Sequence, residues 1–537
     1  MASPESLKEL FKQRLALEAE NINRRQEYQK YDPIEIDAVL MKQDPNIYNY
    51  SSNDLWNLGT YRIKELMTKG GTSIFYHYDT KKKTKSIFKP ALLSTYFQVK
   101  YPIVTIKPTT YNQKDTGEIW YYDHQTEMYK PNAETRFSQE IKDMWGDEFS
   151  TKLLYQSFED IKYVTYIERE EFYLDPEYIP VQNGILWVHS LGGETVVDHV
   201  QNTPQLYVTS RIPHNYDPEA KAPRFENFLM EILPGQIDER NWLQEYVGYC
   251  LYPSWPYDKV VMLHGEGDNG KSTLLAVIRQ LLGIYNCTTI GLYDLCNGRW
   301  YLAELWKKLA NIDADTSSKD LEKTSKFKTV TGGDTVMGER KGKNPFFFES
   351  YCKHFMSCNK MPYCYDDTDA FYRRWFIIKF FEKFSEGDPR RDPNIEDKLN
   401  KEMPGILNWA LEGLKRLLDN NGFTNPLSTE KIKAQWNILS NPLYAFVYSP
   451  YVILDFEGWY PTQQFYTDFI EFCKRNKLAI WTKDKISKRM NHHFDFIHQT
   501  RPYNADEPDH RPYVWQGIRP STDAERQEYL ENFDSSA

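Results

Sequence analysis

The sequence predicts an α/β core, with an α+β unit before it and a small helical unit ending in a hairpin after it. Three observations carry that reading. Strand-like and helix-like stretches alternate from Val260 to Phe384, the pattern of an α/β layer. An apolar run, Val260-Val-Met-Leu-His264, enters a glycine-rich loop, and an apolar-periodic stretch, Ser272-Thr-Leu-Leu-Ala-Val-Ile278, leaves it. Upstream, short strand patterns are punctuated by turn signals such as Asn183-Gly184 before Ile185-Leu-Trp-Val188.

At roughly 100–200 residues per domain, 537 residues make room for about three or four domains. The patterning divides them into a helical or irregular region over 1–90, an α+β domain over 91–220 and a helical linker over 221–258. The core follows over 259–385, then a helical lid over 386–450, a winged-helix-like domain over 451–520 and a polar tail over 521–537. A net charge of −10 excludes a coating or histone-like role, so any nucleic-acid contact must be local. Seven cysteines without a CxxC pair argue against a disulfide framework or a zinc ribbon and for reduced thiols. No apolar run reaches spanning length and no signal peptide opens the chain, so a cytoplasmic protein without membrane contact is expected.

Ser3-Pro4-Glu5 reads as a helix start, with Leu7, Leu10, Phe11 and Leu15 at helical spacing after it. The stretch from Tyr31 to Tyr61 is rich in Asn, Asp and Tyr and takes no assignment. Ile119-Trp-Tyr-Tyr-Asp123 reads as a strand, and the alternation in Tyr163-Val-Thr-Tyr-Ile167 predicts another. Phe225 to Leu251 and Leu399 to Leu418 read as helical. In the C-terminal unit, Gln463–Asn476 and Lys483–Met490 are helical patterns, and Tyr513–Ile518 is the last strand, an order that fits a winged helix. Its second helix would face either a nucleic-acid groove or a protein, because Lys483 to Arg519 holds seven basic and five acidic residues.

The chemistry concentrates in the core. Gly265-Glu-Gly267-Asp-Asn269-Gly270-Lys271-Ser272-Thr273 matches the phosphate-binding pattern G-x-x-x-x-G-K-[ST], flanked by a strand and a helix as that pattern requires. Glycines let backbone N–H groups wrap a phosphate, Lys271 neutralises its oxygens, and Ser272 offers a hydroxyl to Mg²⁺. ATP and Mg²⁺ are therefore the expected ligands. Leu309-Ala-Asn-Ile-Asp313-Ala-Asp315 reads as a strand ending in two carboxylates on one side, one for Mg²⁺ (Asp313, with Ser272) and one to polarise water. Taken alone, such a pair is as readily a turn or a cap. Phe355-Met-Ser-Cys-Asn359 places an amide at another strand end, where it can reach a phosphate or cap a turn. Between them, Met337 to Phe348 suggests a hairpin with Arg340, Lys341 and Lys343 at its tip, a solvated basic turn or a strand-phosphate contact. Arg373-Arg374-Trp375 puts paired arginines before a last strand, as surface charge or as a finger toward a neighbour's phosphate.

In this fixed order the elements resemble the superfamily 3 DNA helicases, in particular the poxvirus and phage/plasmid primase–helicase group. The resemblance rests on the loop from Gly265 to Thr273, the acidic strand, Thr331-Gly-Gly-Asp334, Asn359 and Arg373-Arg374-Trp375. Upstream it includes Trp120-Tyr-Tyr-Asp123, Asn183-Gly-Ile-Leu186, Arg211 to Pro218, Pro223-Arg-Phe225 and Tyr246-Val-Gly-Tyr-Cys-Leu251. Downstream it includes Gly405-Ile-Leu-Asn-Trp-Ala-Leu-Glu-Gly413 and Trp515-Gln-Gly-Ile518. It runs from about Thr95 to Arg519 and implies an AAA+ P-loop ATPase core, a hexameric ring with the ATP site between subunits, and translocation on single-stranded or forked DNA during viral, phage or plasmid replication. In that frame Asn359 is the phosphate sensor, Arg373 or Arg374 the finger, and Arg340, Lys341 and Lys343 the DNA contacts. One departure stands out: the family often has Glu on the acidic strand, where this chain has Asp313 and Asp315. A primase–polymerase domain is not expected in the 90 residues before the resemblance, so a separate primase or polymerase is an expected partner. A packaging or remodelling ATPase that does not unwind is the competing reading.

Overall fold

The computed structural model describes residues 75–79, 84–107, 117–146, 150–172, 174–342, 345–476, 478, 480–501 and 513–527. The expected N-terminal helix, the Tyr31–Tyr61 stretch, Lys343 and the end of the tail lie outside the described residues. The described residues open on an antiparallel pair, β1 (Tyr76–Asp79) and β2 (Thr84–Phe88), followed by α1 (Pro90–Lys100). Then come β3 (Ile103–Ile106), β4 (Glu118–Asp123), β5 (Met128–Lys130), α2 (Ala133–Trp145), α3 (Thr151–Thr165) and β6 (Tyr166–Ile167), with sheet order β5-β4-β3-β6. An aromatic core holds the helices to this sheet, and the rings of Phe97 and Phe137 stack 4.2 Å apart.

The strand expected over Tyr163–Ile167 is corrected: its first three residues finish α3, and only Tyr166 and Ile167 extend. Leu154, Phe158, Ile161 and Thr165 form one buried helical stripe. That 3.6-residue period decides the structure over the two-residue alternation at its end. The Asn183-Gly184 turn does join β7 (Tyr178–Val181) to β8 (Gly184–Leu191), which pairs in turn with β9 (Glu194–Val200). The helical stretch from Phe225 is two helices, α4 (Pro223–Ile232) and α5 (Ile237–Leu251). Pro234 cannot continue a helix, and Gly235 takes φ +72° to turn the chain.

The centre is a parallel sheet of β10 (Val260–His264), β11 (Cys287–Thr288), β12 (Ala310–Asp313), β15 (Lys353–Cys358) and β16 (Trp375–Lys379), in the order β11-β12-β15-β10-β16. Parallel strands are covered on both faces, and the apolar runs of β10 and β15 are buried throughout. Connections run through α6 (Lys271–Leu282), α7 (Leu292–Asn297), α8 (Ser325–Val330), the hairpin β13 (Thr335–Gly338) and β14 (Phe346–Glu349), and α9 (Asp369–Tyr372). After α10 (Ile395–Asn400) come α11 (Met403–Asp419), α12 (Thr429–Ser440) and α13 (Pro442–Val447). One face of the sheet packs with α5, α6 and α11, and Trp436 of α12 joins the core on the other. The last unit sets α14 (Thr462–Arg475) and α15 (Lys483–His493) on an antiparallel sheet of β17 (Val452–Pro461), β18 (His498–Thr500) and β19 (Val514–Pro520), ordered β17-β19-β18. All seven cysteines are unpaired and buried. No helix among the described residues is long and apolar enough to cross a membrane.

Helices α5 and α11 brace the central sheet from behind, and glycines set their separation. A Cβ at Gly248 would lie 2.3 Å from the Ala410 carbonyl oxygen, and one at Gly413 would lie 2.3 Å from the Gln244 carbonyl oxygen. Beside this crossing the buried Glu245 carboxylate accepts from Arg416 Nε at 2.7 Å and from the Thr424 N–H at 3.0 Å. Gly248→Ala is expected to force the helices apart and cost about 1–3 kcal/mol, the usual penalty of overpacking a tight core. Denaturant melting of the two proteins side by side measures it, and an unchanged midpoint would show that the helices yield without cost.

Candidate nucleotide site

Every strand of the central sheet points the same way, so the loops at the carboxyl ends of β10, β12 and β15 converge on one edge. There the loop Gly265–Gly270 closes onto the first turn of α6. Its backbone needs glycine at the ends: a Cβ on Gly265 would meet Asn269 Nδ2 at 2.5 Å, and Gly270 takes φ +87° with Ile232 directly behind it. Between them Gly267 faces open space. Lys271 is buried within the loop, and its ammonium donates to the carbonyls of Gly265 at 2.7 Å and Glu266 at 3.0 Å and to Asn269 Oδ1 at 3.0 Å. Burial lowers its pKa. The Asn269 amide nitrogen, also buried, has no hydrogen-bond partner among the described residues. At the end of β10, burial with Lys379 and Lys271 nearby lowers His264 to about 4, so it adds no charge at neutral pH.

The loop forms one wall of a cleft of about 810 Å³, and Gly267, Asn269, Gly270, Lys271, Ser272 and Thr273 all line it. Asn359, just past the end of β15, and Asp315 line the same cleft. The two aspartates part company here. β12 ends at Asp313 and the chain bends, so the expectation of two carboxylates facing one side is corrected. Asp313 Oδ2 accepts from Thr316 Oγ1 at 2.7 Å and from the Leu292 N–H at 3.3 Å, and burial raises its pKa, while Asp315 stands at the cleft.

The paired arginines sit elsewhere. Trp375 of β16 is in register with Val260, so Arg373 and Arg374 lie at the amino edge of the sheet. That is a strand length of five residues, about 16 Å, from the glycine-rich loop. Arg374 is buried, donating through Nε to Thr331 Oγ1 at 3.0 Å, and Gly332 packs beside its guanidinium. Thr331-Gly-Gly-Asp334 therefore meets Arg374 rather than the cleft. Arg373 keeps its side chain 55 % exposed and pairs with Asp258 at 3.2 Å.

The hairpin expected around residue 340 is present, with Met337 opposite Phe347. Its cations differ: the Arg340 guanidinium lies over Phe346 at 5.1 Å and Trp306 at 5.8 Å, whereas Lys341 is exposed. Arg169 of the N-terminal unit covers the same two rings at 5.6 and 5.4 Å, tying that unit to the hairpin. From the basic face of α15, Arg489 turns to the core, donating to the hydroxyls of Tyr363 at 2.9 Å and Tyr365 at 2.8 Å. Sequence reasoning missed the far wall of the cleft, lined by Arg224, Phe384, Arg390 and Arg391. The signal that could have found it is the pair Arg390-Arg391 after Asp388-Pro389, and no motif singles it out.

Two family-level matches cover parts of this architecture. Residues 92–234 match the domain described as D5 N terminal like, and residues 263–374 match a family of unknown function, DUF5906. The chain is also 27% identical over 197 residues to the Acanthamoeba polyphaga mimivirus protein L207/L206, named as a candidate helicase. The D5 N terminal like match and the helicase-named viral relative support a likeness to the phage and viral primase–helicases. The stretch aligned with that relative covers 33% of this chain and spans 20% of the relative's length. Two apo structures of the NrS-1 C-terminal region are similar to this chain over 80% of its length and 99% of theirs. Their identities are 11% and 12% and their TM-scores 0.42 and 0.39.

Proposed function

We propose that this chain is an ATP-driven DNA helicase with an AAA+ core of the superfamily 3 type, working as a ring on single-stranded and forked DNA during replication. The observation that carries the reading is the single cleft shared by the Lys271 loop, Asp315 and Asn359. The loop N–H groups and the start of α6 take the phosphates of ATP. Lys271 exchanges its three loop acceptors for phosphate oxygens, which its charge favours. The Ser272 hydroxyl and the Asp315 carboxylate are hard oxygen donors at the cleft and fit Mg²⁺, which when bound neutralises charge on the phosphate oxygens. Asp313 orders this edge from below, Asp315 stands where it can also orient the attacking water, and Asn359 donates to the terminal phosphate.

The C-terminal unit is read as a winged helix whose second helix docks on the core through Arg489. A separate primase or polymerase is the partner such a helicase needs. The competing reading is a packaging or remodelling ATPase. An assay of DNA-stimulated ATP hydrolysis followed by strand displacement decides between them. Stimulation with displacement supports the helicase, stimulation without displacement supports the competitor, and no hydrolysis overturns both.

Exposed at the hairpin tip, Lys341 is the expected partner of strand phosphates. Phosphate binding carries no base information, so Lys341→Ala should weaken single-strand binding about equally for all sequences. The slope of log affinity against log salt should shrink by about 0.7 for each phosphate that the lysine no longer neutralises. A fluorescence titration across salt concentrations measures this, and an unchanged slope removes Lys341 from the interface.

A further inference from the structure

The far wall of the nucleotide cleft carries its own basic residues, and their surroundings sort them. Phe384 is pinned to the glycine-rich loop by its N–H, which donates to the Asp268 carbonyl at 2.6 Å. The segment after it is therefore anchored to the loop. Its turn is tightened by Asp388, whose carboxylate accepts from the Arg390 N–H at 2.8 Å and whose carbonyl accepts from the Arg391 N–H at 2.9 Å. Asp392 continues the bracing by accepting from the Asn394 N–H at 3.0 Å and from Lys398 Nζ at 2.6 Å. These bonds brace the turn, and both Arg390 and Arg391 line the cleft.

Arg390 is committed within the wall. It pairs with Glu382 at 2.6 Å and with Asp388 at 2.9 Å, and its guanidinium lies over the Phe384 ring at 4.9 Å. Arg224, on α4, is held in a two-pronged pair with Glu231 at 3.1 and 3.2 Å. Arg391 also lines the cleft and is exposed, yet no ion pair among the described residues includes it. A guanidinium lining the same cleft as Lys271, with Glu231, Glu382, Asp388 and Asp392 already engaged by other cations, is placed to receive a polyanion, while Glu396 and Asp397 on the same lining set how close that polyanion comes.

We infer that Arg391 binds the polyphosphate tail of the nucleotide from the side opposite Lys271, within the same subunit. This rests on the reading of the cleft as an ATP site. It separates two arginine roles by position: Arg391 belongs to the subunit that owns the loop, and Arg373, on the other edge of the sheet, does not. Arg390 acts as a positioning residue, stiffening the turn that carries Arg391.

The test is equilibrium binding of a fluorescent ATP analogue to the full chain, comparing wild type, Arg391→Ala, Arg391→Lys and Lys271→Ala. Arg391→Ala is expected to weaken binding about tenfold or more, the worth of one charge-assisted hydrogen bond. Arg391→Lys should recover part of it, and the melting temperatures should coincide because Arg391 is exposed and not part of a core. Equal affinity of Arg391→Ala and wild type, with Lys271→Ala impaired, overturns the assignment of Arg391 and leaves the cleft an ATP site. Failure of the wild-type chain to bind the analogue overturns the ATP reading itself and this inference with it. Equal weakening by Arg391→Ala and Arg391→Lys, accompanied by a lowered melting temperature, marks a structural role and also overturns it.

Discussion

Lys271→Ala is expected to abolish ATP turnover and strand displacement while leaving the chain folded. The ammonium is the one loop cation buried among carbonyls, bonded to Gly265, Glu266 and Asn269. Those bonds hold it at the mouth of the loop until phosphate oxygens replace them. Alanine removes the charge where the transferring phosphate needs it. Deleting one oriented donor at a developing charge costs about 10²–10³ in rate, and a full positive charge costs more. Stability should change little. Position 271 opens α6, where alanine has the highest helix propensity. Of the three acceptors left behind, Glu266 belongs to the water-exposed part of the loop, whereas Gly265 and Asn269 are buried and set the small cost. Phosphate release by purified protein, together with a melting curve, reads both halves. Normal turnover by Lys271→Ala would sink the ATP assignment, and a collapsed melt would show that the lysine is structural.

What was legible in the sequence was what lies in one contiguous stretch. The loop from Gly265 to Thr273 could be read because its glycines, lysine and hydroxyl are neighbours, and because a strand and a helix bracket them. Asn359 could be read because it ends an apolar run that can only be a buried strand. The parallel core followed from that same alternation. What was not legible depends on interactions between distant residues. The split between Asp313 and Asp315 is fixed by Thr316 and Leu292, one of them on a different element. The burial of Arg374 is set by Thr331, 43 positions away. The close crossing of α5 and α11 depends on two glycines, Gly248 and Gly413, that look like weak points in separate helices. The far wall with Arg390 and Arg391 has no motif, because its shape comes from turn hydrogen bonds and from one backbone bond to Asp268. The strand expected at Tyr163 failed for a local reason, since five alternating residues cannot outweigh a buried stripe of three helical turns.

Arg373→Ala is expected to slow hydrolysis about 10³-fold or more while nucleotide binding stays near normal, the signature of a finger that acts on a neighbouring subunit. The sheet supplies the geometric reason. Arg373 precedes β16 at the amino edge, the loop follows β10 at the carboxyl edge, and about 16 Å of strand separates them. No side chain spans that distance past the packed sheet, so Arg373 cannot serve its own subunit's site. Its exposure, with one ion pair to the half-buried Asp258 among the described residues, leaves it able to reach outward. Arg374 differs. Buried against Thr331 and sharing Asp258 at 3.5 Å, it orders the base from which Arg373 projects. Arg374→Ala should therefore lower stability as well as activity, because it leaves Thr331 and part of the Asp258 charge without their partner. The decisive measurement mixes subunits. Rings assembled from Arg373→Ala and Lys271→Ala protein contain some interfaces where an intact lysine faces an intact arginine, which neither protein forms alone. Hydrolysis should partly return in the mixture and peak near equal proportions. If mixed rings are verified by native mass spectrometry and still show no recovery, the site is not shared between subunits and the ring reading of this sheet edge falls.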